Sequence, residues 1–489
     1  MNLKSLPRAK SRGQTSNLKT LILAVFVITA VFLFVIPRVA HASYDTIPQV
    51  KVYNPDATQV KSTFLAYQES FRGGLKIASG DIDGDSRDEI ITGAGPDGGP
   101  HVQVFDMNGN FMWQTMAFDE RFKGGIDVAA GDVNGDGKDE IIVSQLSGGQ
   151  AWIKIYKANG RKTILADFLA FASSFQGGCH IAAGDVDGDG KDEIIAGAGS
   201  SGRPHIRVFD GKGNWTGWDT FAFHEDFRGG VDLVSEDIDN DGRDEIIVAQ
   251  NSFGQAWVKV YRANRKKTIV SEFLAYAPNF KGGTNIGAGD LDQDGKAEII
   301  TGANAGGGPH VRVFKASGQP KSISFFPYPL DFQGGVNVAI GNLQRDATNE
   351  IITSPGRKLP EGRVDLYKYI EIDLSSQTLT YFENGHKIDK FYISSGIARY
   401  PTPKGEFKII YKIEKTRMKH EYGPNHPDNY DLKDVPHCLG FYQDQMIHGA
   451  YWHHNFGHKM SHGCVNEPLD KAAQLYNWAS IGIPVIIHD

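Results

Sequence analysis

The sequence predicts a mainly β protein, in which a β-propeller of six blades, with a seventh left open, precedes a smaller β-rich domain. A unit of about 52 residues recurs six times between residues 48 and 368. Each copy offers about four short stretches of alternating apolar and polar residues, which is typical of a propeller blade. After Tyr369 the repeat stops, and residues 369–489 form one further small domain.

Composition and charge exclude several classes of protein. Hydrophobic residues make up 40% of the chain and aromatic residues 11%, which is enough for ordinary buried cores and excludes a disordered or collagen-like chain. The formal net charge is −7, and no segment combines basic and aromatic residues in a recognition motif, so nucleic acid is not expected as a partner. Three cysteines in 489 residues exclude a scaffold built from disulfides.

The first 42 residues are typical of an export signal. Basic residues precede the run Thr20–Ile36, which is uncharged and mostly apolar, and Ala40-His41-Ala42 has the pattern of a cleavage site. Because the run is longer than most cleaved signals and just long enough to span a bilayer, an uncleaved membrane anchor is the alternative. Both interpretations predict an exported protein in the cell envelope, either secreted or held by one N-terminal transmembrane segment.

An acidic loop begins each repeat and leads into an apolar strand. The loops, numbered 1 to 6 here, begin at Asp81, Asp132, Asp185, Asp237, Asp290 and Asn342, which are 51, 53, 52, 53 and 52 residues apart. Upstream of the first repeat, the strand KSTFLAY lacks inner strands of its own and is expected to complete the last blade and close the ring. The strand QVKVY at Gln49 is then surplus, which leaves seven blade positions open.

The spacing of the acidic residues suits calcium. Ca²⁺ takes roughly six to eight oxygen ligands, which side chains at loop positions 1, 3, 5 and 9 and a carbonyl at position 7 can supply. The glutamate at position 9 and the strand that follows distinguish these loops from an EF-hand. The pattern resembles the FG-GAP repeats of integrin-α-like β-propellers, and the resemblance, over roughly residues 48–368, implies structural Ca²⁺. A turn without metal is the alternative.

The ligands expected for Ca²⁺ come from loops 1 to 5. Loop 1 has Ser86 where the other four have glycine, and loop 6, with Asn342, Gln344 and Ala347, is expected to be empty. The side chains are Asp81, Asp83, Asp85 and Glu89 in loop 1; Asp132, Asn134, Asp136 and Glu140 in loop 2; Asp185, Asp187, Asp189 and Glu193 in loop 3; Asp237, Asp239, Asp241 and Glu245 in loop 4; and Asp290, Asp292, Asp294 and Glu298 in loop 5.

The C-terminal domain holds a cysteine suited to nucleophilic chemistry. Cys464 needs a base, and His448, arriving on a neighbouring strand, can take the thiol proton. The carbonyl of Gly449 can accept a hydrogen bond from the other imidazole nitrogen of His448 and so fix the tautomer. The turn Ser461-His462-Gly463-Cys464 is expected to offer backbone N–H groups as an oxyanion hole, with Gly463 allowing a close approach.

This pattern resembles the L,D-transpeptidase catalytic domain family, whose signature is His-Gly, a gap, and then Ser/Thr-His-Gly-Cys-apolar-Asn/Arg. Here the signature is His448-Gly449, eleven residues, and Ser461 to Asn466, and the segment Thr402 to Phe407 also looks like that family. The resemblance covers nearly all of residues 369–489. It implies that Cys464 forms an acyl-enzyme with peptidoglycan stem peptides and passes the acyl group to an amine, which makes 3→3 cross-links or attaches amines, without a cofactor in catalysis.

Other interpretations of the same domain remain open at this point. Water in place of the amine would make the protein an L,D-carboxypeptidase, and loss of activity would leave a surface adhesion protein with a wall-binding domain. The five histidines of the motif region could bind zinc, and Cys438 could form a disulfide with Cys464. Cys179 and Cys438 are otherwise expected to be buried and inert. The five histidines are His448, His453, His454, His458 and His462.

The sequence therefore predicts three segments. Residues 1–42 are the signal peptide or anchor, residues 43–368 are the propeller, and residues 369–489 are the catalytic domain. Tyr451, Trp452 and Asn466 are candidates for contact with substrate, although Tyr451 and Trp452 suit a core position equally well. The propeller is expected to dock the enzyme to the cell wall or to a surface partner.

Overall fold

Strands account for almost all of the regular structure in the computed structural model, which describes residues 47–157, 163–345, 348–357, 366–383 and 386–489. The described residues contain a single α-helix, α1 (Leu469–Trp478). The predicted fold class, a mainly β protein with repeated sheets followed by a β-rich domain, is confirmed.

The described residues up to Pro355 form six four-stranded antiparallel sheets. Within a sheet, the strand that follows the acidic loop is buried along nearly its whole length, whereas the outermost strand alternates or is largely exposed. The strands are β1 (Gln49–Tyr53), β2 (Val60–Leu65), β3 (Leu75–Gly80), β4 (Glu89–Ala94), β5 (His101–Phe105), β6 (Phe111–Met116), β7 (Ile126–Gly131), β8 (Glu140–Gln145), β9 (Trp152–Lys157), β10 (Thr163–Leu169), β11 (Cys179–Gly184), β12 (Glu193–Ala198), β13 (His205–Phe209), β14 (Trp215–Phe221), β15 (Val231–Glu236), β16 (Glu245–Gln250), β17 (Trp257–Tyr261), β18 (Ile269–Leu274), β19 (Thr284–Gly289), β20 (Glu298–Ala303), β21 (Val311–Phe314), β22 (Pro320–Phe325), β23 (Val336–Gly341) and β24 (Glu350–Pro355).

Five of the six sheets are continuous in sequence, and one joins the two ends of the region. The joined sheet has the order β2-β1-β24-β23, with Lys51 opposite Thr353. Both N-terminal strands therefore complete the sheet of the last repeat. The sequence suggested that the strand QVKVY was surplus, and this expectation is wrong. The first and last inner strands also contact each other, because the Ser79 hydroxyl donates to the Ile340 carbonyl at 2.7 Å.

The C-terminal residues form two sheets around a second core. One sheet has the order β27-β26-β25-β33-β28 and the other the order β29-β30-β31-β32. Ile372, Leu379, Ile447, Val465 and Leu475 meet in this core, with no more than traces of exposed surface. The strands are β25 (Lys368–Asp373), β26 (Thr378–Glu383), β27 (His386–Tyr392), β28 (Gly405–Lys408), β29 (Tyr411–His420), β30 (Tyr430–Tyr442), β31 (Gln445–Gly449), β32 (Val465–Glu467) and β33 (Pro484–His488).

Helix α1 holds the end of β32 in place. It begins directly after Pro468, whose fixed φ suits a helix start, and Asp470 adds a negative charge to its first turn. Ala472 and Leu475 are buried. The backbone N–H of Ala450 donates to the Glu467 carbonyl at 3.0 Å, so the helix start and the end of β31 are fixed to each other.

The location expected from the sequence needs a correction, because a transmembrane anchor has no support. Among the described residues, no helix is long and apolar enough to cross a membrane. The segment Thr20–Ile36 and the cleavage site after Ala42, on which that expectation depended, lie outside the described residues.

Candidate active site and acidic loops

Two adjacent parallel strands bring Cys464 and His448 to one face of a sheet. Strands β31 and β32 pair with Ile447 opposite Val465 and His448 opposite Asn466. Ile447 and Val465 are fully buried in the core. Because side chains alternate along a strand, His448 and Asn466 point to the other face, and Cys464, which directly precedes β32, shares that face. The sheet thus places the predicted nucleophile and base on neighbouring strands.

The turn before Cys464 is fixed by its own hydrogen bonds. The Ser461 hydroxyl donates to the Cys464 carbonyl, and the N–H of Gly463 donates to the Ser461 hydroxyl at 3.2 Å. Thr402 donates its hydroxyl to the Gly463 carbonyl at 2.9 Å. Gly463 has φ 113°, a backbone conformation that residues with a Cβ rarely adopt, so this position favours glycine.

Hydrogen bonds within and around this turn reduce the number of backbone N–H groups that are available for the predicted oxyanion hole. The N–H of Ser461 donates to the Ser395 carbonyl at 3.0 Å, and that of Gly463 is engaged with the Ser461 hydroxyl. Two of the four N–H groups that the sequence suggested for an oxyanion therefore have other acceptors. The N–H groups of His462 and Cys464 are the remaining candidates in this turn.

The environment of His448 suits a neutral base. Its side chain is 2% exposed, and burial lowers its pKa to about 4. Its Nδ1 lies 3.3 Å from the Gly449 carbonyl, which can only accept, so this contact places the proton on Nδ1 and leaves the Nε2 lone pair free. Burial also raises the pKa of the Cys464 thiol to about 11. At neutral pH the two groups are therefore an uncharged thiol and an uncharged imidazole.

The lowered pKa of His448 predicts a loss of stability in mild acid. The unfolded chain takes up a proton near pH 6.5 and the folded chain near pH 4, so stability falls as the pH drops between these values. The full loss is about 3 kcal/mol, from ~1.4 kcal/mol per pKa unit. Denaturant unfolding at pH 7 and pH 4.5 measures it. The His448→Gln variant should lose less stability over this range, and an identical loss in both proteins would contradict the assignment.

Trp452 forms a wall beside the catalytic pair. Its ring lies 5.7 Å from the His448 ring and 5.0 Å from the Tyr451 ring, and its side chain is 36% exposed. Tyr451 is also exposed and donates its hydroxyl to the Lys433 carbonyl at 2.6 Å. Both aromatic residues therefore line the surface rather than the core, as contact with substrate requires.

Asn466 and the neighbouring histidines form a polar group at the same site. Asn466 is buried, and its Nδ2 lies 3.0 Å from Nε2 of His453. In the described part of the chain, the groups whose ligand atoms come close enough to hold a metal include none of the five motif histidines. The structure therefore gives the zinc interpretation no support. All three cysteines are free, and Cys179 and Cys438 are buried, as expected.

Sequence reasoning missed an aromatic cluster over His462. The His462 ring lies 4.8 Å from Tyr400, 5.8 Å from Tyr422 and 5.5 Å from Tyr430. Tyr430 begins β30, and Tyr422 lies in the connection between β29 and β30. Nε2 of His462 is buried and has no hydrogen-bond partner among the described residues. No local pattern in the sequence marks these tyrosines, because a long hairpin brings them to the site.

A second missed residue is Glu467, beneath the site. It is 0% exposed, and neither carboxyl oxygen has a hydrogen-bond partner within the described residues. Burial raises its pKa well above the usual value. Glu467 lies opposite Gly449 and shares the core face with Val465. Residues two apart on a strand share a face, so the position of Glu467 two residues after the apolar Val465 is the sequence signal that could have predicted its burial.

The acidic loops form clusters of oxygen ligands. In loop 3, oxygens of Asp185, Asp187 and Glu193 lie within 4.8 Å of one another. Glu193 is 6% exposed, and its Oε2 has no hydrogen-bond partner in the described residues. Burial and the nearby Asp187 raise its pKa to about 8. This oxygen-only set, with an unsatisfied buried carboxylate, fits a Ca²⁺ ion.

Three other loops contain similar groups. The geometry of loop 3 depends on Asp185, which accepts the N–H groups of Gly188 at 2.7 Å and Gly190 at 2.9 Å. The first aspartate of each of loops 1, 2, 4 and 5 accepts corresponding bonds. The groups are Asp81, Asp83 and Asp85 in loop 1; Asp237, Asp239 and Glu245 in loop 4; and Asp290, Asp292 and Asp294 in loop 5.

Two family models match segments of this chain. Residues 367–487 match the family model of the L,D-transpeptidase catalytic domain. Residues 81–143, 132–196, 185–248 and 237–301 match the model of an FG-GAP-like repeat. Both resemblances that the sequence motifs suggested are confirmed. Among curated proteins, none matches the chain significantly.

Solved structures similar to this chain include several L,D-transpeptidases. A crystal structure of a mutant Enterococcus faecium L,D-transpeptidase is 26% identical, with 28% of this chain and 55% of that chain covered and a TM-score of 0.23. The catalytic domain of the E. faecium enzyme, solved by NMR, is 27% identical over 25% of this chain and 96% of that one, with a TM-score of 0.22. L,D-transpeptidase 3 from Mycobacterium tuberculosis is 21% identical, with 29% of this chain and 75% of that chain covered and a TM-score of 0.24. The match spans about half the length of the first of these structures.

Proposed function

We propose that this protein is a cysteine L,D-transpeptidase that acts on peptidoglycan stem peptides. The observation that carries the proposal is the placement of Cys464 and His448 on one face of adjacent strands, within the segment that matches the L,D-transpeptidase catalytic domain. Trp452 beside His448 supplies a half-exposed wall for a peptide. The uncharged state of the pair suits attack by general base catalysis.

In the first half of the reaction, Nε2 of His448 takes the proton from the Cys464 thiol as sulfur attacks the carbonyl carbon of the third stem residue, a diamino acid. The negative charge that develops on the carbonyl oxygen is stabilised by N–H groups of the Ser461–Cys464 turn. The C–N bond to the terminal D-Ala then breaks. The His448 imidazolium returns its proton to the departing amine, and a thioester on Cys464 remains.

In the second half, the side-chain amine of another stem attacks the thioester. His448 accepts a proton from this amine and delivers it to the departing sulfur, which restores the thiol. The product is an amide between the third residues of two stems, a 3→3 cross-link. Water as the attacking group would instead give a trimmed stem and make the enzyme a carboxypeptidase.

The experiment that tests this function uses residues 43–489, which form one compact unit. The purified protein is incubated with tetrapeptide stems, and mass spectrometry identifies the products. A cross-linked dimer that has lost one D-Ala is the expected result. Tripeptide without dimer would assign the carboxypeptidase reaction instead, and unchanged tetrapeptide would contradict both activities.

We assign the repeat region to docking on the wall or on a partner, because the motif that provides nucleophile and base lies wholly after Tyr369. Tyr367 connects the two parts. Its ring lies 5.8 Å from the Phe253 ring of the repeat region, and its hydroxyl donates to Glu383 at 3.0 Å. These contacts favour a fixed arrangement of the catalytic residues relative to the sheets.

A truncation tests this division of labour. Residues 369–489 alone are expected to retain activity on soluble stem peptides and to lose activity on intact sacculi, because docking matters only for the insoluble substrate. Rates on both substrates are compared with those of residues 43–489, and circular dichroism checks that the truncated domain is folded. Loss of activity on both substrates by a folded domain would mean that the repeat region builds part of the active site.

A further inference from the structure

His453 lies in the connection between β31 and β32, and both of its ring nitrogens face a polar group. Nδ1 faces the backbone N–H of Asn455 at 3.2 Å. Nε2 faces the side-chain amide of Asn466, whose Nδ2 lies 3.0 Å away. The side chain of His453 is half-buried, and its ring packs on the Phe456 ring with 5.0 Å between the centroids. These contacts give the His453 ring one defined position between the loop and β32.

The backbone around Asn455 is held by hydrogen bonds of its own. The Ser394 hydroxyl donates to the Asn455 carbonyl at 3.1 Å, and the N–H of Gly457 donates to the Ile393 carbonyl at 2.8 Å. Ser394 and Asn466 also exchange backbone hydrogen bonds at 2.8 and 2.9 Å, so the loop and β32 share one support. The group that faces Nδ1 therefore belongs to a fixed backbone, and an N–H group can only donate.

The chemistry of imidazole then decides the orientation of Asn466. Burial and the nearby His454 lower the pKa of His453 below its ordinary value of 6.5, so the ring is uncharged at neutral pH. A neutral imidazole has one N–H group and one lone pair on its two nitrogens. Because Nδ1 accepts the bond from Asn455, the proton is on Nε2, and Nε2 needs an acceptor. Asn466 supplies one when the oxygen and nitrogen of its amide, which have nearly the same shape, exchange places.

We propose that His453 is a positioning residue, whose Nε2–H holds the oxygen of the Asn466 amide and thereby turns the Asn466 NH2 group away from His453, on the face of the sheet that carries Cys464 and His448. Asn466 lies opposite His448 on that face. This inference rests on the proposed function, and it adds that this side of the site recognises a hydrogen-bond acceptor of the stem peptide, a carbonyl or carboxylate oxygen. With the opposite orientation, Asn466 would present an oxygen and select a donor group of the peptide.

The tautomer of His453 can be measured without substrate. Long-range proton–nitrogen correlation NMR on residues 43–489 with isotope-labelled histidine distinguishes a protonated ring nitrogen from a bare one, and the His453→Gln variant identifies the signal. At neutral pH we expect the proton on Nε2 and none on Nδ1. The opposite tautomer would overturn the proposal, because Asn466 would then donate to Nε2.

Two matched variants test the effect on the substrate. In His453→Gln, the side-chain NH2 can replace the Nε2–H as donor to Asn466, whereas the shorter side chain of His453→Asn brings its NH2 only as far as the position of Nδ1. His453→Asn should raise KM for the stem peptide about tenfold, with a smaller change in kcat, and His453→Gln should restore most of this loss. Circular dichroism checks that both variants are folded.

Equal KM values in the two variants, whether both raised or both unchanged, would overturn the role of His453. An absence of turnover in the unaltered protein would instead refute the proposed function and the recognition of a stem peptide with it. The NMR measurement would still decide the orientation of Asn466 in that case, so the two failures can be told apart.

Discussion

The Cys464→Ala variant is expected to form no acyl-enzyme and no cross-linked or trimmed product, at any enzyme concentration, while its fold remains intact. The thiol is the one nucleophile in the motif, and its removal leaves the N–H groups of the turn with nothing to activate. Mass spectrometry of the intact protein after incubation with tetrapeptide stems detects the thioester as an added mass on the unaltered enzyme. The same measurement on the variant should show the protein mass alone.

Two further variants define what that result means. His448→Ala should be nearly as inactive, and the double variant should be no worse than either single one, because nucleophile and base act as a unit. Cys438→Ala is the control: Cys438 is fully buried, and burial raises the pKa of its thiol to about 12, so it should be inert. Turnover by Cys464→Ala, or its loss in Cys438→Ala, would refute the assignment of the nucleophile.

The repeated sheets could be predicted from the sequence because their signals are local. Each repeat contains its glycine turns, its acidic loop and its apolar strand within about 52 residues. The completion of the last sheet could not be predicted in the same way, because β1 pairs with β24, which lies about 300 residues away in sequence. The strand at Gln49 therefore had no visible partner, although its alternation predicted a strand correctly.

The active site shows the same limit. The motif identified Cys464 and His448, which the sheet then placed on neighbouring strands. The motif did not show that the Ser461 hydroxyl accepts a hydrogen bond from the Gly463 N–H, because a serine hydroxyl in such a turn can form hydrogen bonds with several backbone groups. Nor did the sequence show that Arg262, which directly follows β17, forms an ion pair with Glu245 of loop 4 at 3.2 Å, because the two residues meet across a strand pair.

Glu467 leads to the second large effect, on stability rather than on chemistry. The carboxyl group is buried without hydrogen-bond partners in the described structure, near Cys438 and Tyr381, and its pKa is raised well above the usual value by burial. A group whose folded pKa is raised stabilises the protein only below its unfolded pKa, so this contribution is lost as the pH rises above 4.5. Between the unfolded pKa and the raised folded pKa, the folded protein keeps a proton that the unfolded chain releases.

Glu467→Gln should therefore stabilise the protein at pH 7, because glutamine has no proton to lose and the cost of keeping the buried carboxyl group neutral disappears. At pH 4 the folded and unfolded chains are both largely protonated at this position, and the gain should disappear. Urea unfolding at the two pH values measures the difference. Glu414→Gln, on the exposed face of β29, is the matched control and should leave stability nearly unchanged at both. If Glu467→Gln were no more stable than the unaltered protein at pH 7, Glu467 would have to be paired and charged in solution rather than buried as a neutral acid.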